Sequence, residues 1–312
     1  MAKSSTTAAS SGKTEIHKAE RFLLSALRRH PQIGKSETLL ETACETEHRD
    51  SFISIDEVGR GCVAGPVVVC ATLWVRENIS DSFANWIAGL RDSKKMSAAQ
   101  REQAFERALK EQFFTIHGNH ELPVPETFST GDKMPENSPN RLQLPALQFK
   151  WTAQSLQDQL SSARCSSKKP PTSSYMMRSA HIGCADATEI DLMGIVTALN
   201  LAASRALEGI HIKKMPMALF FDGHRPLSVP QGWAHTPQIM ITKGDDLLKS
   251  ISASSVLAKV VRDRWMETYA THFPMYHFEE HRGYGTEKHR NALLKHGFSP
   301  LHRKSFLKNI CP

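Results

Sequence analysis

Three short apolar runs in this chain end in carboxylates, and that pattern constrains the fold more than any other feature. Residues 51–55 run into Asp56-Glu57, residues 217–221 into Asp222-Gly223, and residues 238–242 into Lys243-Gly244-Asp245. Each run has the length and β-prone content of a strand. An acid at a strand end lies on the rim of a sheet, where several strands bring side chains to one place. A lone Asp in such a position is ordinarily a turn or cap residue. Three strand ends alike argue instead for one shared site. Four acids gathered there repel one another unless cations neutralise them. Hard carboxylate oxygens suit Mg²⁺ or Mn²⁺, which complete their shells with water and substrate phosphate. Two such ions roughly 3.5–4 Å apart serve in-line phosphoryl displacement.

The rest of the chain supplies an α/β order around these runs. Residues 65–74, with Val67, Val68, Val69 and Leu73, read as a second strand that pairs with the first as a hairpin. Helix signals follow at residues 97–112. Residues 181–185 form a further strand candidate, and Asp186-Ala187-Thr188-Glu189 matches a capping box. The helix behind that box places Leu192, Ile195, Leu199, Ala202 and Ala206 on one face. Residues 248–269 carry Ser254, Leu257, Ala258, Val261 and Trp265 at helical spacing. Hairpin-like strands come first and crossovers later, and there are no internal repeats.

Two stretches interrupt this order. Residues 118–179 are rich in Pro, Ser, Asn and Gln and contain the breaker Lys168-Lys169-Pro170-Pro171. A connection of that length reads as an insertion, with a minor helix at residues 147–160. Residues 1–50 read as an extension, polar at its start and then weakly amphipathic around Phe22, Leu23, Ala26 and Leu27. One catalytic domain, residues 51–312, is therefore expected, preceded by the 1–50 extension and carrying the 118–179 insertion.

Charge and thiols narrow the class of partner. The formal net charge of +7 favours a polyanion. Between His281 and Lys308, seven basic residues (Arg282, Lys288, Arg290, Lys295, Arg303, Lys304, Lys308) face one acid, Glu287. Phosphate binding and a solvated tail both fit such a cluster. No apolar stretch approaches 18 residues, so no membrane span is expected. The six cysteines form no CxxC pair, which points to reduced thiols and a cytoplasmic protein. A mitochondrial address is the alternative, although Glu15 and Glu20 are unusual in a transit peptide.

Gly59-Arg60-Gly61 follows the first acidic pair at once. Two glycines around an Arg allow a backbone loop to approach a ligand closely, and a tight turn explains them equally well. With its neighbours, this segment resembles ribonuclease HII of the type 2 ribonuclease H family, on its bacterial branch. The matching stretches are Ser54-Ile55-Asp56-Glu57-Val58-Gly59-Arg60-Gly61, Ala64-Gly65-Pro66-Val67-Val68 and Asp92-Ser93-Lys94-Lys95-Met96-Ser97. Glu189-Ile190-Asp191, Phe221-Asp222-Gly223, Lys243-Gly244-Asp245, residues 252–259 and residues 273–306, with His281-Arg282-Gly283-Tyr284, follow in the family's order.

The resemblance implies a ribonuclease H-like α/β fold, a mixed five-stranded sheet flanked by helices. It implies two Mg²⁺ or Mn²⁺ ions held by Asp56, Glu57, Asp222 and Asp245, a substrate loop at Gly59, Arg60 and Gly61, and a junction-sensing Tyr284. The implied activity cleaves RNA in RNA–DNA hybrids and beside single ribonucleotides in duplex DNA, leaving 5′-phosphate and 3′-hydroxyl ends. A monomer is expected. Lys94, Lys95, Lys259 and Arg262 are candidate contacts to the nucleic-acid backbone, with a solvated surface role as the alternative for each. The histidines at 272, 277, 281, 289, 296 and 302 suit packing or phosphate contact better than zinc, since no Cys pair or HExxH spacing accompanies them.

Overall fold

In the computed structural model of the chain, residues 51–118, 174–212 and 215–307 are described. The weakly amphipathic stretch of the 1–50 extension and the minor helix expected at 147–160 lie outside these residues.

β1 (Ser51–Val58) and β2 (Val67–Glu77) form the expected antiparallel hairpin, in register from Ser51↔Val75 to Val58↔Val68. β5 (Leu219–Asp222) runs parallel to β1, pairing Ile55 with Phe221, and β6 (Gln238–Ile241) runs parallel to β5. On the other side of the hairpin, β4 (Ser174–Ala185) pairs antiparallel with β2 along its whole length. That pairing extends β4 back into the stretch read as insertion, well before residue 181. A sixth strand, β3 (Thr115–Gly118), pairs parallel to β4 and completes the order β3-β4-β2-β1-β5-β6. Its sequence, Thr-Ile-His-Gly, is too short to show an alternating pattern.

Each face of the sheet buries its own core. α1 (Asp81–Gly89), α2 (Ala98–Lys110) and the long α5 (Lys249–His272) cover one face. Ser80 caps α1, and Ser97 with Gln100 forms a capping box on α2. α3 (Ala187–Glu208) covers the other face with Ala198, Leu199, Ala202, Ala203, Ala206 and Leu207. The predicted Asp186–Glu189 capping box opens α3. Its apolar face differs from expectation, because Gly194 at φ +77° interrupts the helix and leaves Leu192 80% exposed. Only glycine adopts that conformation without strain. α3 is long and apolar enough to cross a membrane, yet it is broken at Gly194 and lays its small residues on the sheet.

α5 approaches β1 and β2 through hydroxyls as well as through its apolar side chains. Ser250 Oγ lies 2.7 Å from Ser54 Oγ, and Ser254 Oγ lies 2.8 Å from Thr72 Oγ1. Ser254 also donates to the Ser54 carbonyl at 3.0 Å. Small, mutually satisfied polar groups let the helix sit close without leaving buried donors unpaired. This close seat brings the first turns of α5 against the acidic end of β1.

Candidate active site

β1 carries Asp56 and Glu57 to the sheet's rim on opposite faces, because consecutive strand residues alternate. Asp56 faces α5 and is 5% exposed. Its carboxylate accepts the Glu57 amide at 2.8 Å and a hydrogen bond from Ser255. Burial, then the charges of Glu57 and Asp222, raise its pKa well above the usual carboxylate range. Glu57 turns to the α3 side, where burial raises its pKa against the pull of Arg60, 3.7 Å away.

β5 delivers Asp222 beside Asp56, one strand over. Its Oδ1 accepts the Gly244 amide at 2.7 Å, tying β5 to α4 (Gly244–Leu247). Asp245 in the first turn of α4 is buried, and Ser252 donates to its carbonyl at 2.6 Å. Burial first, then Asp222 and Asp92, raises the Asp245 pKa to about 6, with Lys94 opposing. Asp222 thus acts electrostatically on Asp56, Glu57 and Asp245 alike.

Asp92 is a site residue that the sequence reading missed. Its carboxylate caps the 3₁₀ turn Ser93–Lys95 by accepting the Lys94 amide at 2.8 Å, and it hydrogen-bonds Asp245. Ser93 Oγ sits 2.9 Å from Ser255 Oγ, so the turn and Asp56 lean on one hydroxyl of α5. The turn aims Lys94 at the acids, 3.8 Å from Asp245. Burial lowers the Lys94 pKa, but Asp245, Asp92, Asp56 and Asp222 together hold it above its usual value. The signal for Asp92 was present in the Asp-Ser-Lys-Lys segment, since Asp is a common cap.

The glycine loop rests on two buried arginines. Gly59, at φ +86°, lies so close to Arg262 that a β-carbon would fall 2.3 Å from its Nε. Arg262 is fully buried and donates to the carbonyls of Pro66 (2.9 Å), Ala64 (3.0 Å) and Arg282 (2.8 Å). The expectation that Arg262 contacts nucleic acid is therefore corrected: its guanidinium is spent on backbone inside the protein. Arg303, also fully buried, donates to Gly65 (2.9 Å) and Arg60 (3.1 Å) carbonyls. Burial pushes its pKa down to about 9. The Val63 and Ala64 amides donate to the Gly283 carbonyl at 2.9 and 3.2 Å, which sets Tyr284 beside the loop. Tyr284 is 43% exposed, and Lys259 Nζ lies 5.8 Å from its ring centre. Arg60 is exposed at the mouth of a cavity of about 460 Å³ that also reaches Glu57, Asp222, His224 and Arg225.

Other expected contacts disperse. Lys95 pairs with Asp246 at 2.5 Å and Lys259 with Asp263 at 2.6 Å, so neither ammonium is unengaged. In the C-terminal cluster Arg303 is interior, Arg282 pairs with Glu267, and Lys288 pairs with Glu280 at 2.5 Å. Lys308 lies outside the described residues. Asp191 accepts the Lys304 and Ser305 amides at 2.8 and 2.9 Å, which fastens the C-terminal turn to α3. His281, His289 and His302 are buried together, with His289 and His302 joined Nε2 to Nε2 at 3.0 Å, a packing role. Cys62, Cys70 and Cys184 are buried free thiols.

The donor set around the acids fits a hard divalent cation. Asp56, Glu57, Asp92, Asp222 and Asp245 are five carboxylates offset in part by Lys94 and Arg60, which leaves an excess of negative charge. Burial first, with neighbouring carboxylates adding to it, raises the pKa values of Asp56, Glu57 and Asp245. Such an excess is relieved by protons or by cations.

The chain matches the sequence family described as Ribonuclease HII over residues 53–309. It is 33% identical over 272 residues to a ribonuclease HII of Acidovorax sp. (strain JS42), covering 86% of this chain and 91% of that protein. A Bacillus licheniformis ribonuclease HII is 31% identical over 286 residues, covering 91% of this chain and 78% of that one. The solved ribonuclease H2 of Pyrococcus horikoshii OT3 overlays with a TM-score of 0.47 at 18% identity, covering 83% of this chain and 96% of that one.

Proposed function

This chain belongs to the ribonuclease HII family, and on that footing we propose that it is an endonuclease that cleaves the RNA strand of RNA–DNA hybrids. We extend the proposal to single ribonucleotides embedded in duplex DNA, cut on their 5′ side. The observation that carries this reading is the meeting of Asp56, Asp222 and Asp245 from three segments beside the Gly59–Gly61 loop and Tyr284.

In the proposed reaction, water attacks phosphorus in line and the P–O3′ bond breaks. The 3′ oxygen leaves as a hydroxyl and the phosphate stays on the 5′ end. Asp56, Glu57, Asp222 and Asp245 would hold two Mg²⁺ or Mn²⁺ ions, which when bound make water a better nucleophile and stabilise the leaving oxygen. The protein's own groups do the rest. Lys94 offers an ammonium at the acidic rim, where a phosphate would pass. The backbone of Gly59, Arg60 and Gly61 suits the 2′-hydroxyl, the group that distinguishes RNA from DNA in the shallow minor groove. The exposed face of Tyr284 packs on the neighbouring sugar, where a second 2′-hydroxyl would crowd it.

The test is a DNA duplex holding one ribonucleotide, incubated with Mg²⁺ or Mn²⁺. Incision 5′ of the ribonucleotide with a 3′-hydroxyl product is expected. An uncut duplex alongside cleavage of a continuous hybrid would confine the activity to hybrids, and failure on both would refute the reading. A monomeric, cytoplasmic protein completes the proposal; light scattering and fractionation check it.

A further inference from the structure

The buried histidines behind Tyr284 do more than fill space, because every one of their ring nitrogens has a partner. His281 Nε2 lies 2.8 Å from the Tyr276 carbonyl oxygen, and its Nδ1 accepts the Gly283 amide at 3.2 Å. His289 Nδ1 lies 2.9 Å from the Tyr284 carbonyl oxygen, and its Nε2 meets His302 Nε2 at 3.0 Å. His302 Nδ1 accepts the Ser299 amide at 2.8 Å. His281 and His289 also stack, with 4.2 Å between ring centres and 14° between planes. All three side chains are buried, His289 completely.

An amide only donates and a carbonyl only accepts, so these contacts fix the place of each proton. His281 carries its proton on Nε2 and accepts at Nδ1. His289 must donate from Nδ1 to Tyr284, which leaves its Nε2 as an acceptor. His302 donates to that nitrogen from Nε2 and accepts the Ser299 amide at Nδ1. One neutral arrangement satisfies the whole chain of rings. A further proton on any of them would set one N–H against another. Burial is the first cause that lowers the pKa of each ring, and Glu279, Glu280 and His277 act on His281 besides.

What this chain of rings holds is the seat of Tyr284. The Tyr284 amide donates to the His281 carbonyl at 2.9 Å, and the Tyr284 carbonyl accepts from His289. Gly283, at φ +83°, is held through its amide by the His281 ring, and a β-carbon there would fall 2.3 Å from the Ala64 carbonyl oxygen. His302 pairs through its backbone with Ala64, just past the glycine loop. We propose that His281, His289 and His302 are positioning residues for Tyr284, an inference that rests on the function proposed above. Their proton order fixes the height at which the exposed ring meets the neighbouring sugar, and so the preference for a deoxyribose there.

The test measures cleavage of a duplex holding one ribonucleotide and of a continuous hybrid by the same preparation, since the ratio does not depend on how much of the protein is folded. Tyr284→Ala should lower the ratio of the first to the second. His289→Gln should lower it by about tenfold or more, because the ring loses its fixed seat. His289→Asn, whose amide N–H stands where Nδ1 stood, should keep the ratio near that of wild type even though it melts lower. Nitrogen-15 NMR of the full chain at neutral pH should show three neutral rings, protonated on Nε2 of His281, Nδ1 of His289 and Nε2 of His302. A different proton pattern, a wild-type ratio in His289→Gln, or an equal fall in His289→Asn would each overturn the proposal. An unchanged ratio in Tyr284→Ala, or a wild type that cuts neither substrate, would instead refute the reading of the site and take the proposed role with it.

Discussion

Asp245 holds its proton up to about pH 6, and this gives the metal-free protein a pH dependence of definite sign. A carboxyl whose folded-state pKa is raised binds its proton more tightly in the native state than in the unfolded chain. Stability therefore falls as pH rises from about 4 to about 6, and Asp56 and Glu57, also raised, act in the same direction. A cation on these carboxylates removes the penalty. Saturating Mg²⁺ should raise the Tm more at pH 7 than at pH 5; equal shifts at both would contradict an uncompensated acidic cluster. Asp56→Asn should lower hybrid cleavage by on the order of 10²–10³-fold or more while melting no lower than wild type without metal, since repulsion is relieved. Wild-type turnover in that variant would remove Asp56 from the reaction. Arg262→Ala should lose about 3–5 kcal/mol in urea denaturation, because a buried charge and three carbonyl partners are lost together. Arg262→Lys should not restore it, as an ammonium lacks the guanidinium's fork. At this scale Asp56, Glu57 and Asp222 were legible in sequence because strand ends announce them. Asp245 was read at a strand end but sits in the first turn of α4, and Asp92, a turn cap, was missed. Arg262 was not legible either, since a basic residue on a helix reveals its burial only when Pro66, Ala64 and Arg282 are seen around it.

At the scale of elements, the closest contact is between β4 and α3. A β-carbon at Gly183 would meet the Ala202 carbonyl oxygen at 2.0 Å and the Ala206 nitrogen at 2.5 Å. Both are helix backbone and cannot rotate away. Gly183→Ala should therefore cost at or above the upper end of the about 1–3 kcal/mol usual for overpacking, measurable as a drop in Tm; a drop under one degree would mean that α3 floats on the sheet. This contact explains the run of alanines at 198, 202, 203 and 206, which a helical pattern reads only as apolar. The hairpin, α2, α3 and the long α5 were legible because caps and periodicity are local, whereas the short α1 behind Ser80 went unread. β3 and the early part of β4 were not legible, because their pairing is supplied by β2 and by each other across a long stretch of sequence. Gly194 was equally hard to read: one glycine in a helical pattern looks like a small cost and gives no sign of a break.

Across the whole molecule, two buried populations respond to pH in opposite senses. Burial lowers the pKa of His289 to about 4 and of His302 to about 3. Their unfolded forms take up protons near 6.5, so stability is lost as pH falls below that value. The acids push the other way over an overlapping range. Saturating Mg²⁺ silences the acids and should expose the histidine slope, giving a steeper gain in stability from pH 5 to pH 7 than the metal-free chain shows. Parallel profiles with and without Mg²⁺ would argue against this balance.

The two buried arginines have one more consequence. Arg262 grips the loop at Ala64 and Pro66 and also the Arg282 carbonyl, two residues before Tyr284, while Arg303 holds Arg60 and Gly65. The spacing between the loop and the tyrosine ring is thus set in the protein's interior before any nucleic acid arrives. In the proposed enzyme this makes a fixed gauge for two adjacent sugars. Wear in such a gauge would show first as cuts in the wrong place, and only later as slow cutting.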